Sequence, residues 1–145
     1  MKTFAKLFAG ASMALIPAAG AQAGSSYVVL SHPEAVDGRT LEDEAGTRYQ
    51  LHALDAPEIG QECIGADGET YSCGEHARQA LAKMTDGIVS CDFVDAETAD
   101  GRAVRCYDFA GRDIGSRLIS AGWALPDRSL GLDYVWDEME AEARS

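Results

Sequence analysis

The sequence has 145 residues, with twelve Lys or Arg against twenty-four Asp or Glu, a formal net charge of −12 and 46% hydrophobic residues. That length suits one compact domain with one core. So acidic a balance excludes general affinity for nucleic acid, which depends on basic groups displacing counterions, but leaves room for a small local basic site.

The chain opens Met1-Lys2-Thr3-Phe4-Ala5-Lys6, continues in an apolar run from Leu7 to Ala19, and reaches Ala21-Gln22-Ala23 before Gly24. A basic start, a short apolar stretch and an A-x-A site predict a signal peptide over 1–23, cleaved after Ala23. The run is broken by Gly10, Ser12 and Pro17 and falls short of the roughly 20 apolar residues of a spanning helix, so no membrane anchor is expected. The remaining 24–145 is read as a single exported domain, periplasmic or secreted and monomeric. Loss of Lys2 and Lys6 leaves it ten basic residues against twenty-four acidic ones.

Along that domain, Tyr27 to Val36 is rich in valine and leucine and ends at an Asp37-Gly38 turn. Arg39-Thr40-Leu41 follows, then a Glu44-Ala45-Gly46 turn, then Thr47 to Leu54, where Tyr49, Leu51 and Ala53 alternate with Arg48, Gln50 and His52. That alternation is the period of a half-buried strand, and three such strands form a meander. Residues 55–72, with Pro57 and no periodicity, predict a long loop. A helix is predicted from Ser72 to Gly87, with Ser72 and Glu75 as a capping box and Ala77, Ala80, Leu81 and Met84 as its apolar face. Ile88–Val94 and Ala103–Phe109 read as strands. Asp113 caps a short helix, Ile114–Ala121, and a last helix runs Asp133–Arg144 with Val135 and Met139 inward. The class is mostly β with helices (α+β), and the order of elements suggests a small closed barrel.

Chemistry-bearing patterns are sparse. H-E-x-x-H, G-x-S-x-G and P-loop motifs are missing, and His32, His52 and His76 lack ligand spacing, His76 reading as solvated on a helix flank. The acidic stretch Asp95–Gly101 lacks the EF-hand order and reads as a turn. Cys63, Cys73, Cys91 and Cys106 lack a C-x₂₋₄-C pair and, in an exported chain, point to disulfides. Of the three possible pairings, local geometry favours Cys63–Cys73 closing a loop and Cys91–Cys106 linking two strands.

Four pieces belong together: Val36-Asp37-Gly38-Arg39-Thr40, Leu51-His52-Ala53-Leu54-Asp55-Ala56-Pro57-Glu58, Cys73-Gly74-Glu75-His76-Ala77 and Asp100-Gly101-Arg102. With Leu118-Ile119-Ser120-Ala121-Gly122-Trp123-Ala124 they resemble the staphylococcal-nuclease-like (thermonuclease) family, from about Val28 to Ala124. The resemblance implies a five-stranded OB-fold barrel with two or three helices, and calcium-assisted hydrolysis of a nucleic-acid phosphodiester. In that chemistry a carboxylate-held cation polarises the phosphate, a Glu activates water, and two arginines hold the phosphoryl oxygens.

Carried over by position, the resemblance assigns metal binding to Asp55 and the backbone carbonyl of Ala56, water activation to Glu58, and a phosphate contact to Arg102. Two family positions are substituted: Arg39 stands where a metal carboxylate is expected, and Gln50 where an arginine is expected. A fixed cation beside a calcium site costs roughly 1–4 kcal/mol of repulsion, and Gln50 supplies neither charge nor bidentate fork. Arg48, two residues away, is a candidate substitute. The expectation is therefore a binding or structural module with an incomplete calcium and nuclease site, needing no cofactor and with its partner unknown. The alternative is an active Ca²⁺-dependent phosphodiesterase on DNA or RNA with an altered site. Arg39 is further expected within about 6 Å of Asp55 and Glu58, where its guanidinium replaces the metal.

Overall fold

The computed structural model describes residues 26–98 and 101–144; the expected signal peptide, 1–23, and Asp100 of the Asp-Gly-Arg piece lie outside them. The first predicted strand divides in two. β1 (Tyr27–Ser31) ends at His32, whose φ is +48°, and Pro33, and β2 (Glu34–Ala35) resumes beyond. Proline has no N–H for a ladder, and a left-handed residue before it turns the chain. β3 (Thr40–Glu42) and β4 (Arg48–Leu51) flank the Glu44-Ala45-Gly46 turn, which is closed by Asp43 Oδ1 accepting from the N–H groups of Ala45 and Thr47. β4 carries the expected alternation, with Tyr49 and Leu51 buried and Arg48 exposed.

The expected loop over 55–72 contains structure of its own: β5 (Leu54–Asp55) begins it, and β6 (Cys63–Ile64) pairs with β7 (Thr70–Tyr71). Cys63 is bonded to Cys73, so the loop is stapled to the start of α1 (Cys73–Met84). A bridge spanning ten residues stabilises by roughly 2–4 kcal/mol. In α1, Ala77 and Leu81 are buried, and Ala80 and Met84 pack partly against the core. Ser72 is the N-cap residue, but its side chain makes no capping bond. Glu75 is drawn sideways instead, accepting from Arg78 and from the Gln79 amide. A charge-assisted bond to guanidinium is stronger than one to a backbone N–H, and it holds the Glu75 carboxyl down at about 2.

β8 (Ile88–Thr98) and β9 (Gly101–Tyr107) form a hairpin longer than predicted, because pairing resumes at Glu97–Arg102 beyond a register shift. Cys91 sits opposite Cys106 and is bonded to it in the buried core. α2 (Ile114–Ser120) starts at Asp113, whose carboxylate accepts from the Ser116 N–H. β10 (Leu125–Pro126) pairs with β5. α3 (Val135–Glu142) buries none of its own residues, and Met139 is exposed rather than inward. Its anchor is the preceding residue, Tyr134, which is buried and donates to Asp113. The ion pair of Arg105 with Asp133 and the bond from Ser116 to Asp137 hold the same segment. Polar ties to α2 and β9 thus do the work expected of an apolar face.

The main sheet has the order β1-β8-β9-β4-β3-β2, antiparallel throughout except for parallel β4 and β9. Leu41, Leu51, Val89 and Val104 of the sheet meet Leu81 of α1 and Ile114, Leu118 and Ile119 of α2 in one buried core. Each such fully buried side chain stabilises by roughly 1.5–3 kcal/mol. The protein is therefore mixed α+β, with three helices and a mostly antiparallel sheet. Among the described residues no helix is long and apolar enough to cross a membrane.

Candidate functional site

The β2–β3 turn, β4 and the loop after β5 surround a cleft of about 290 Å³ lined by residues that include Asp37, Arg39, Arg48, Gln50, Ala56 and Glu58. Two glycines set its walls. A Cβ on Gly38 would lie 2.8 Å from the Ala56 methyl and 2.9 Å from that of Ala77, so the turn packs directly on the loop and on α1. A Cβ on Gly74 would lie 1.8 Å from the Glu58 carbonyl oxygen, so the helix start and the loop touch backbone to backbone. Glu58 and Gln61 close that loop on themselves, the Gln61 N–H donating to the Glu58 carbonyl and the Gln61 amide oxygen accepting from the Glu58 N–H. The Gly-containing pieces singled out in the sequence are thus the contacts that shape the cleft.

Its charges are placed against one another. Arg39 Nη1 is 3.5 Å from Asp55 Oδ1, and Arg39 also depresses the Asp127 carboxyl, whose larger causes are the bonds from Ser129. Asp37 turns back on its own turn, accepting from the Arg39 N–H at 2.8 Å. Arg48 Nε is 2.9 Å from Glu42. Gln50 is in register with Thr40 and lines the cleft. Arg102 is in register with Tyr49, the neighbour of Gln50, and so belongs to the opposite face of the sheet. Its guanidinium lies 3.7 Å above the Phe93 ring centroid, and it is not among the residues lining the cleft. Of the sequence-assigned residues, then, Arg39, Gln50, Ala56 and Glu58 come together, Asp55 joins them through its ion pair, and Arg102 does not.

A calcium ion takes about six to eight oxygen ligands, carboxylates prominent among them. Here the guanidinium of Arg39 stands against Asp55, and among the described residues no three His, Cys, Asp or Glu side chains form a metal-holding group. Asp55 is thus engaged by a guanidinium where the resemblance expects a cation.

A second concavity lies between α1 and α2, a hollow of about 530 Å³ lined by His76, Gln79, Ala80, Lys83, Met84, Arg117 and Trp123. His76 is not simply solvated: its ring stacks on Tyr71 at 5.6 Å and meets Trp123 edge-on at 5.8 Å. Trp123 also lines a second hollow of about 330 Å³, with Tyr71 and Gln61, which reaches Ala56 and Pro57 of the cleft. Arg117 is held by Asp108, which it shares with Arg112. Backbone N–H donation from Arg112, with that guanidinium, keeps the Asp108 carboxyl below its ordinary value. These residues carry no motif. The one local signal is the 76, 79–80, 83 spacing, which places them on one stripe of α1 beside its buried face.

No protein-family model matches the chain. Over 125 residues it is 30% identical to the succinoglycan biosynthesis protein ExoI of Rhizobium meliloti (strain 1021), an alignment covering 85% of this chain and 64% of that protein. The chain thus spans somewhat less than two thirds of the length of this relative.

Proposed function

We propose that this chain is an exported module of the staphylococcal-nuclease-like family, an OB-fold derivative whose calcium and nuclease site is incomplete and which binds a ligand rather than cleaving nucleic acid. The observation that carries this reading is the Arg39–Asp55 ion pair at 3.5 Å, at the position where the resemblance puts a metal between carboxylates. A guanidinium against Asp55, in a cleft that Asp37 and Glu58 also line, compensates acidic charge there without a divalent ion. Gln50 in place of an arginine and Arg102 stacked on Phe93 weaken the phosphoryl-holding pair as well. The OB reading is supported by the order of the sheet, whose two edge strands, β1 and β2, are consecutive in sequence, with α1 packed against the β2–β3 turn. Two disulfides suit an oxidising compartment. The name of the relative ties it to biosynthesis of a glycan, which for this chain favours a saccharide ligand.

The test is a nuclease assay on the purified domain with millimolar calcium, alongside thermal unfolding with and without the ion. The reading expects no calcium-dependent cleavage and no gain in melting temperature, because a ligand that does not bind the native state cannot stabilise it. Robust cleavage that vanishes in Glu58→Gln would establish the alternative, a phosphodiesterase with an altered site.

A further inference from the structure

We propose that the hollow around Trp123 is a binding site for a carboxylate-bearing saccharide. The inference rests on the reading of the chain as a binding module and assigns that module a place and a ligand chemistry. The hollow, about 530 Å³, is large enough for a sugar unit. Its apolar part is the Trp123 ring with Met84 and Ala80, a surface suited to the C–H face of a pyranose. Its polar part is the Gln79 amide, both donor and acceptor and so matched to hydroxyl groups.

The charge is what selects an acid. Lys83 is the sole lysine beyond Lys6, is exposed, and makes no ion pair among the described residues. Arg117 shares the single carboxylate of Asp108 with Arg112, so that trio keeps one net positive charge. The acids nearest on α1 are engaged elsewhere: Glu75 with Arg78, and Asp86, just past its end, 3.6 Å from His32. A locally cationic, aromatic hollow attracts a carboxylate, while the net charge of −12 opposes long polyanions such as nucleic acid, whose charges extend beyond the hollow. The second hollow that Trp123 lines, about 330 Å³ and walled by Tyr71, Gln61 and Leu125, gives room for a following sugar ring.

The experiment uses the 24–145 domain carrying Trp136→Phe, so that Trp123 is the sole tryptophan reporter, since the sequence has two. Its fluorescence is followed on titration with galacturonic acid, trigalacturonate, maltotriose and a short single-stranded DNA. Saturable change with the two acidic saccharides, absent with maltotriose, supports the site. Trigalacturonate binding tighter than the monomer assigns an internal stretch of chain, and equal affinity a single terminal sugar. Lys83→Ala should weaken the acidic ligand about tenfold and Lys83→Arg restore it. Maltotriose binding as well as trigalacturonate, DNA binding in preference, no saturation up to about 10 mM, or indifference to Lys83→Ala would each overturn the proposal. Melting with and without calcium on the same preparation reports separately on the Arg39 site, so failure here is distinguishable from failure of the module reading.

Discussion

The cleft beside β4 and the hollow around Trp123 differ in how their charges are used. In the cleft, cation faces anion within the protein: Arg39 with Asp55, and Arg48 with Glu42. In the hollow, Lys83 has no carboxylate partner among the described residues, and Arg117 has only a share of Asp108, which Arg112 outside the hollow also holds. The cleft carries the recognisable motif and the hollow carries none. Charges answered internally fix a shape; charges left unanswered can answer a ligand. A sequence motif therefore marks where a scaffold is held together, and not necessarily where binding now occurs.

The largest effect should come from the walls of the cleft. Gly74→Ala drives a methyl into the Glu58 carbonyl, which backbone cannot yield, and should cost at least about 3 kcal/mol by chemical denaturation. Gly38→Ala, whose close contacts are the Ala56 and Ala77 methyls, should cost about 1–3 kcal/mol. In the hollow, Gln79→Ala and Lys83→Ala should stay within about 0.5 kcal/mol of the parent. A large stability loss from either would break the contrast, by making the hollow a structural element too.

The next effect separates Arg39 from Lys83. Arg39→Ala should lower stability by less than about 1 kcal/mol, since the pair with Asp55 is well exposed. Added calcium should restore part of that loss by compensating the acids left behind, measured as the rise in melting temperature. Calcium should have no such effect on the parent protein or on Lys83→Ala.

Acid should act on the ties that hold Arg117 beside the hollow. Asp108 has a folded pKa below its ordinary 3.8, chiefly through backbone donation from Arg112. A depressed carboxylate contributes stability that is complete above the unfolded value and is lost as pH falls through the folded one. Stability should therefore fall only below about pH 4, and Asp108→Asn should flatten that limb. At the other end, burial and the Asp113 carboxylate raise the Tyr134 hydroxyl above its ordinary 10.0. A raised group contributes stability that is present below the unfolded value and lost as pH rises, so the alkaline limb should begin near pH 10 and vanish in Tyr134→Phe.

How much of this was legible in the sequence follows from how local each feature is. The apolar face of α1 and the Asp113 cap of α2 are set within one or two turns and were readable. The β2 break and the β6–β7 hairpin were not, because strands of two residues carry no periodicity. The Ser72–Glu75 capping box failed because Arg78, one turn on, competes for Glu75 with a stronger bond. Val135 and Met139 were assigned inward from helical spacing, yet α3 is held by Tyr134 and by polar ties that spacing does not encode. Residue positions carried over by resemblance placed Arg39, Gln50 and Glu58 in one cleft. Arg102, carried over with them, follows strand alternation with Tyr49 to the face of Phe93 and does not line the cleft. The hollow was invisible because it joins α1 to residues 117 and 123, more than thirty positions away.

The most direct measurement is calorimetric titration of calcium into the parent domain and into Arg39→Asp/Gln50→Arg, with cleavage of single-stranded DNA followed in the same samples. The account predicts no heat of binding and no cleavage for the parent, and calcium binding with rising activity for the double variant. Calcium binding by the parent in the micromolar to millimolar range, with cleavage abolished by Glu58→Gln, would contradict it.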